Sequence, residues 1–183
     1  AVGLLCASLL NRGTTTLHHM PKIEEVYRII EVLESIGMKI AWTGSTLTLV
    51  PPKKYDLKKI DVESARKTRS IIMFIAPLMH SLSSFSLPQS GGCKLGSRTV
   101  QPHFFALEHF GVDIETTETA FEVTHQPKKP SEIILYESGD TVTENVLFAA
   151  ARTPSATVIK YASANYMVQE MCVFLQLFGV KIE

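Results

Sequence analysis

Apolar and polar positions along the chain fall into an order that returns three times. VLESIGMKI (32–40), ALEHFGVDI (106–114) and FLQLFGVKI (174–182) each finish an amphipathic helix, place a glycine at its stop and resume with alternating apolar residues. Each phrase predicts a helix, a glycine cap and a strand. Upstream of each lies a more apolar predicted helix, over residues 1–10, 62–80 and 144–152, followed by a strand-like run: TTTLHHM, SSFSLPQS and ATVIKYA. Every unit therefore reads helix, strand, helix, strand or hairpin. Gly37, Gly111 and Gly179 are 74 and 68 residues apart, longer than solenoid repeats of roughly 20–50 residues. Any α/β domain can reuse one such phrase, but here order and polarity agree in all three units. The expected fold is one α/β domain, an inside-out barrel closing around a shared core with the apolar helices inside and the sheets outside. The units span about 1–50, 60–124 and 131–183, joined by the Pro- and Lys-rich connections VPPKKYDLKK and HQPKKPSE.

Composition narrows the function classes. The 183 residues are 45% hydrophobic and 20% charged, enough for a real core. Eighteen basic residues balance eighteen acidic ones, so no single-signed field draws in nucleic acid or a membrane surface, and neither is an expected partner. The longest apolar run, residues 71–79, is interrupted by Pro77 and falls far short of the roughly 20 residues of a bilayer span. Three cysteines, Cys6, Cys93 and Cys172, form neither an even disulfide set nor a metal spacing, which points to a soluble protein of the reducing cytoplasm. Cys6 and Cys172 sit in apolar segments and read as core thiols. AVGLLCASLL has neither an initiator Met nor a basic leader before it, so it is read as a helix with further chain upstream rather than a signal peptide. Adjacent His18 and His19 point to opposite faces of a strand-like run, and His80, His103, His109 and His125 share no ligand spacing; no metal is expected.

Cys93 is placed differently. QSGGCKLGSR (89–98) sets it among Gly91, Gly92 and Gly96, with Lys94 and Arg98 beside it. Cations and a nearby helix N-terminus lower a thiol's pKa and attract anions to the same place, and residues 99–102 read as the start of the helix ending at Phe110. The glycines give the loop a lid's freedom. From this stretch alone, an ordinary exposed cysteine in a surface turn is the competing reading. Arg69 adds weight: the series Val62, Ala65, Arg69, Ile72, Ala76 puts a guanidinium on an apolar helical stripe, where it needs an anionic partner or must snorkel to water. Arg66 and Lys67 read as solvated helix face. SGDTVTENVLFAAA carries a capping-box pattern from Thr141 to Glu144, offering N–H donors to phosphate or simply a well-capped helix.

The GGC loop followed by LGSR, the segment KTRSIIMFIAPL, the helix TENVLFAA and the three helix-Gly-strand phrases together resemble the enolpyruvyl transferase family, and within it the UDP-N-acetylglucosamine 1-carboxyvinyltransferases. The resemblance runs the length of the chain. It implies a two-domain enzyme with its active site in the cleft between the domains, of which this chain is the domain bearing the cysteine loop. It implies transfer of the enolpyruvyl group of phosphoenolpyruvate to the 3-hydroxyl of UDP-N-acetylglucosamine, the first committed step of peptidoglycan synthesis, with no cofactor. Cys93 matches the proton donor that can also bond covalently to phosphoenolpyruvate and is the target of fosfomycin. Arg98 and Arg69 match arginines that meet the substrates' anionic groups, Val100 belongs to the uridine-contacting turn, and Ser138 and Gly139 match the diphosphate loop. The chain departs from the family pattern at two places: Thr99 and Gln101 replace Pro and Asp of the uridine turn, and Asp140 and Val142 alter the diphosphate loop. A Lys-Asn pair is expected upstream of Ala1 and a second domain beyond this chain. Two alternatives stay open: an enolpyruvyl transferase acting on shikimate 3-phosphate, and a non-catalytic sugar-nucleotide binding module with Cys93 as a redox-sensitive thiol.

Overall fold

All three marker glycines stop helices in the computed structural model, which describes residues 1–89 and 99–183. Gly37, Gly111 and Gly179 take φ of +108°, +86° and +88°, the left-handed region where a Cβ is penalised. Two of the stops are closed Schellman turns: Met38 N donates to Leu33 O at 3.0 Å and Val180 N to Leu175 O at 3.2 Å. The helices they end are α2 (Glu24–Ser35), α5 (Gln101–Glu108) and α7 (Tyr166–Leu177).

The more apolar helices lie at the centre, as expected. They are α1 (Val2–Ala7), continued by a 3₁₀ turn (Ser8–Leu10); a 3₁₀ stretch (Arg69–Phe74) running into α4 (Ile75–Met79); and α6 (Asp140–Ala150). These three meet one another around the middle of the molecule, and every residue from Ile71 to Met79 is buried. Sheets lie outside them. Strands β1 (Thr15–Leu17), β2 (Lys39–Thr43) and β3 (Thr46–Val50) form an antiparallel sheet in the order β1-β3-β2. Strands β4 (Ser84–Pro88), β5 (Val112–Thr116) and β6 (Ala120–His125) repeat it as β4-β6-β5. In both, alternate residues face the core: Leu17, Leu47 and Leu49 in the first, Phe85, Leu87, Phe121 and Val123 in the second.

Four expectations are corrected. Residues 62–80 do not form one helix. The short α3 (Val62–Arg66) stops at Thr68, whose backbone is extended (φ −126°, ψ 131°) and whose hydroxyl accepts from Ser70 N to start the 3₁₀ stretch. Pro77 has no N–H to give the preceding turn, which favours the tighter helix before it. The apolar stripe therefore breaks, and Val62 stays 43% exposed. The third unit differs in its strands: β7 (Glu132–Ile134), preceding α6, pairs in parallel with β8 (Val158–Lys160) across the α6 crossover, and residues 180–183 form no strand. His18 and His19 lie beyond β1 rather than within it, and His19 turns the chain with φ +56°. Cys6 is fully buried, but Cys172 is only half-buried on α7.

The glycine stops are not equivalent. A Cβ on Gly111 would lie 1.8 Å from Gln126 O, whereas one on Gly179 would meet nothing within 4 Å. Gly179→Ala should cost about 1 kcal/mol, the strain of a left-handed alanine. Gly111→Ala adds a backbone clash and breaks the bond from Gln126 N to Gly111 O, so it should cost ~3 kcal/mol or more. Urea melts of the two variants measure the difference.

Candidate functional site

Polar side chains inside an apolar bundle need partners, and here most of them find one at one end of it, while Asn145 Oδ1 is buried with none. His103, three residues past the Val100 N-cap of α5, is buried. Its Nδ1 accepts from Asn145 Nδ2 at 3.2 Å, and its Nε2 lies 3.5 Å from Thr141 Oγ1. Asn145, fully buried on α6, also donates to Ile72 O at 3.3 Å. Because only an amide NH₂ can face that carbonyl, the asparagine's orientation is fixed, and with it the neutral tautomer of His103. Burial, helped by the charge of Arg69, pushes the His103 pKa down to about 4. Arg69 itself is half-buried at the first residue of the 3₁₀ stretch. One contact set thus ties the starts of three segments: the 3₁₀ stretch, α5 and α6.

The start of α6 departs from the sequence pattern. No capping box forms, because the helix begins at Asp140 with Gly139 as N-cap; Thr141 is already inside it. Thr143 Oγ1 instead donates to Gly139 O at 2.8 Å and accepts from Ser163 N at 3.0 Å. Glu144 turns inward, so a Cβ on Gly3 would lie 2.9 Å from its carboxylate oxygens. Asp140 is turned aside: its carboxylate accepts from Ser163 Oγ at 2.5 Å and Asn165 Nδ2 at 2.9 Å, and Asn165 in turn caps α7 through Met167 N. The acidic replacement in this loop thereby serves as a brace between α6 and α7.

Of the residues singled out in the sequence, the structure gathers Arg69, Val100 and Gly139 around the His103 contact set, with exposed Ser138 just before Gly139. Cys93 and Arg98 lie outside the described residues. Sequence reading had His103 as the last residue of the turn that resembles the family's uridine-contacting one and Glu144 as half of a capping box; it missed Asn145 and the contacts that join them. The available signal was three consecutive polar residues, Thr143, Glu144 and Asn145, between buried Val142 and Val146. Further acceptors lie close by: Glu25 Oε1 on α2 receives Ser70 Oγ at 2.7 Å and Thr68 Oγ1 at 3.5 Å.

Two buried groups here oppose each other in pH. Burial raises the Glu144 pKa to about 7, and the charges of Asp140 and Glu170 act in the same direction. The folded chain then keeps a proton that the unfolded chain has lost, so stability falls between its ordinary 4.5 and about 7. His103 stays neutral in the fold, so stability is lost as pH falls from 6.5 to about 4. Across the overlap the two cancel. Glu144→Gln should expose a loss of stability on acidification, and His103→Gln a loss on raising pH, each on the order of 2 kcal/mol in denaturant melts. Parallel pH profiles for both variants and the parent would refute the assignment.

The EPSP synthase (3-phosphoshikimate 1-carboxyvinyltransferase) family model matches residues 2–183. Among curated relatives, the UDP-N-acetylglucosamine 1-carboxyvinyltransferase of Treponema denticola is 30% identical over 182 residues, covering 100% of this chain and 42% of the relative. That of Bradyrhizobium diazoefficiens is 28% identical over 183 residues, with the same coverage. The chain thus spans less than half the length of these relatives. Among solved structures, the enolpyruvyl transferase NikO from Streptomyces tendae superposes with a TM-score of 0.84 at 17% identity, over 100% of this chain and 43% of that one. With helices inside, sheets outside and a family match over nearly every residue, the chain belongs to the EPSP synthase family of enolpyruvyl transferases.

Proposed function

We propose that the protein containing this chain transfers the enolpyruvyl group of phosphoenolpyruvate to the 3-hydroxyl of UDP-N-acetylglucosamine, releasing phosphate. The observation that carries this reading is the alignment of relatives bearing that name along the whole chain, together with a G-G-C-x-x-G-x-R stretch within it. In this reading the chain is a single domain of three repeats, about 1–50, 60–124 and 131–183, and forms one wall of a cleft whose other wall is a second domain of the same enzyme. The reaction belongs to the cytoplasm and to peptidoglycan synthesis, and the free thiols Cys6 and Cys172 accord with a reducing compartment.

The chemistry assigns roles. The sugar 3-hydroxyl gives up its proton to a base as its oxygen bonds to C2 of phosphoenolpyruvate, while Cys93 delivers a proton to the C3 methylene; loss of a C3 proton and expulsion of phosphate then restore the double bond. Arg98 and Arg69 hold the anionic groups of the substrates, a task for fixed cations that need no reorganisation. Val100 meets the uridine, while Ser138 and Gly139 meet the diphosphate. Neutral His103 near Arg69 is compatible with this arrangement, since near neutral pH it sets no second cation against the guanidinium.

A second reading, transfer to shikimate 3-phosphate, is favoured only by the name of the family model. Phosphate release by the full-length protein separates the two: UDP-N-acetylglucosamine should support turnover and shikimate 3-phosphate should not. The opposite result would reverse the assignment.

Arg69→Ala should lower kcat/KM by about 100-fold or more while costing less stability than a core truncation, because the side chain is only half-buried. Steady-state rates beside thermal melts check it; a large melting shift with activity kept would make Arg69 structural. Fosfomycin with UDP-N-acetylglucosamine should alkylate Cys93 alone, since burial pushes the thiols of Cys6 and Cys172 up and leaves them poor nucleophiles. Peptide mass mapping reads the site, and equal labelling of the three would count against the role of Cys93.

A further inference from the structure

α6 has two ends, and the second opens on a cavity that the transferase reading leaves without a use. The helix is eleven residues long, so its termini stand about 16 Å apart. At its C-terminal end lies a cavity of about 340 Å³, within the size range of small-molecule sites. Its walls include Lys128, Lys129 and Arg152, and no carboxylate residue is among those lining it. Among the described residues none of these three cations has an ion-pair partner. Two of them come from HQPKKPSE, which the sequence marked only as a connection.

Cations near helix C-termini commonly serve the exposed carbonyls there. In this cavity imidazoles already do so: His80 Nε2 donates to Phe148 O at 2.9 Å, and His125 Nδ1 donates to Met79 O at 2.9 Å. The lysines belong to the connection rather than to a helix. That connection is pinned, with Gln126 N donating to Gly111 O and Lys128 N to Phe110 O, each at 2.9 Å. Below the cations, buried Phe110 and half-buried Leu82 supply an apolar floor. Exposed cations carried on a pinned backbone beside apolar side chains can receive a molecule with an anionic head and a compact organic body.

We propose that this cavity binds a small phosphorylated metabolite of sugar-phosphate size, with the phosphate held by Arg152, Lys128 and Lys129 and the body seated on Phe110 and Leu82. The site is separate from the catalytic end and does not depend on the transferase reading. His80 supports a positive local potential: burial first, then the charges of Arg152 and His125, hold its pKa low.

Glucose 6-phosphate, inorganic phosphate and glucose serve as probes, titrated into the full-length protein at constant ionic strength. Calorimetry should show saturable binding of glucose 6-phosphate, weaker binding of phosphate and none of glucose. Arg152→Ala and Lys128→Ala should each weaken glucose 6-phosphate about 10-fold, the loss of one charge-assisted hydrogen bond, while Arg69→Ala leaves it unchanged. Circular dichroism checks the fold, and imidazole NMR signals of His80 and His125 should move on binding. Affinity that survives both cavity variants, affinity lost with Arg69→Ala, the absence of saturable binding, or unmoved histidine signals would each overturn the proposal.

Discussion

Three helical segments packed against one another at the centre constrain everything else in this chain. A helix buried on all sides has no solvated face on which to leave polar groups, so each polar side chain it carries must be satisfied within the bundle. α6 shows the consequence. Thr143, Glu144 and Asn145 are all buried, and they reach the Gly139 carbonyl, the flank of α1 and the junction of α5 with the 3₁₀ stretch. The middle of the bundle is left to Val146, Phe148, Ile75 and Leu5. Polarity is thereby sorted along the helix axes, and chemistry concentrates where helices start.

That sorting sets the electrostatics of the candidate site. His103 cannot take a proton near neutral pH, because it is buried, Arg69 is close and its Nδ1 already accepts from Asn145. Asp140 spends its charge on Ser163 and Asn165, while Glu144 holds a proton until about pH 7. The two carboxylates that would repel an anion are thus hydrogen-bonded aside or protonated up to about pH 7, whereas Arg69 presents a guanidinium. An arginine on an apolar stripe, taken from the sequence as a site for an anion or a snorkel, thus gains its surroundings only from three segments that meet in space.

The fold was largely legible because glycine and hydrophobic period are local signals. Gly37, Gly111 and Gly179 announced themselves through a required left-handed turn, and the inner helices through runs too apolar to face water. What escaped depends on distance. The break at Thr68 turns on an extended backbone and a hydroxyl cap, and the capping box at Thr141 lost to a helix start two residues earlier, where Asp140 braces α7. Strand β7 is three residues long and is stabilised by a partner 26 residues away, including the Lys160 Nζ to Glu132 Oε2 pair at 2.7 Å. Of the site, Arg69 was visible as a misplaced charge and His103 as part of the turn after Arg98; Asn145 was not, since alone it passes for an ordinary helical residue.

The same axial sorting accounts for the character of the far end. Where the inner helices finish, their last carbonyls need donors, and the chain supplies His80 to α6 and His125 to α4, each helix being served by a side chain from another segment. Neutral imidazoles suffice for carbonyls, so the formal charges of Arg152, Lys128 and Lys129 are in excess of what the helix ends require. The tight turn at Gly111 holds the connection against α5, where a side chain on that residue would collide with Gln126, and so fixes the lysines' backbone over the cavity. One physical rule, that buried helices export their polar needs to their ends, thus builds an anion-ready surface at both poles: helix starts and Arg69 at one, and cations freed from capping duty at the other.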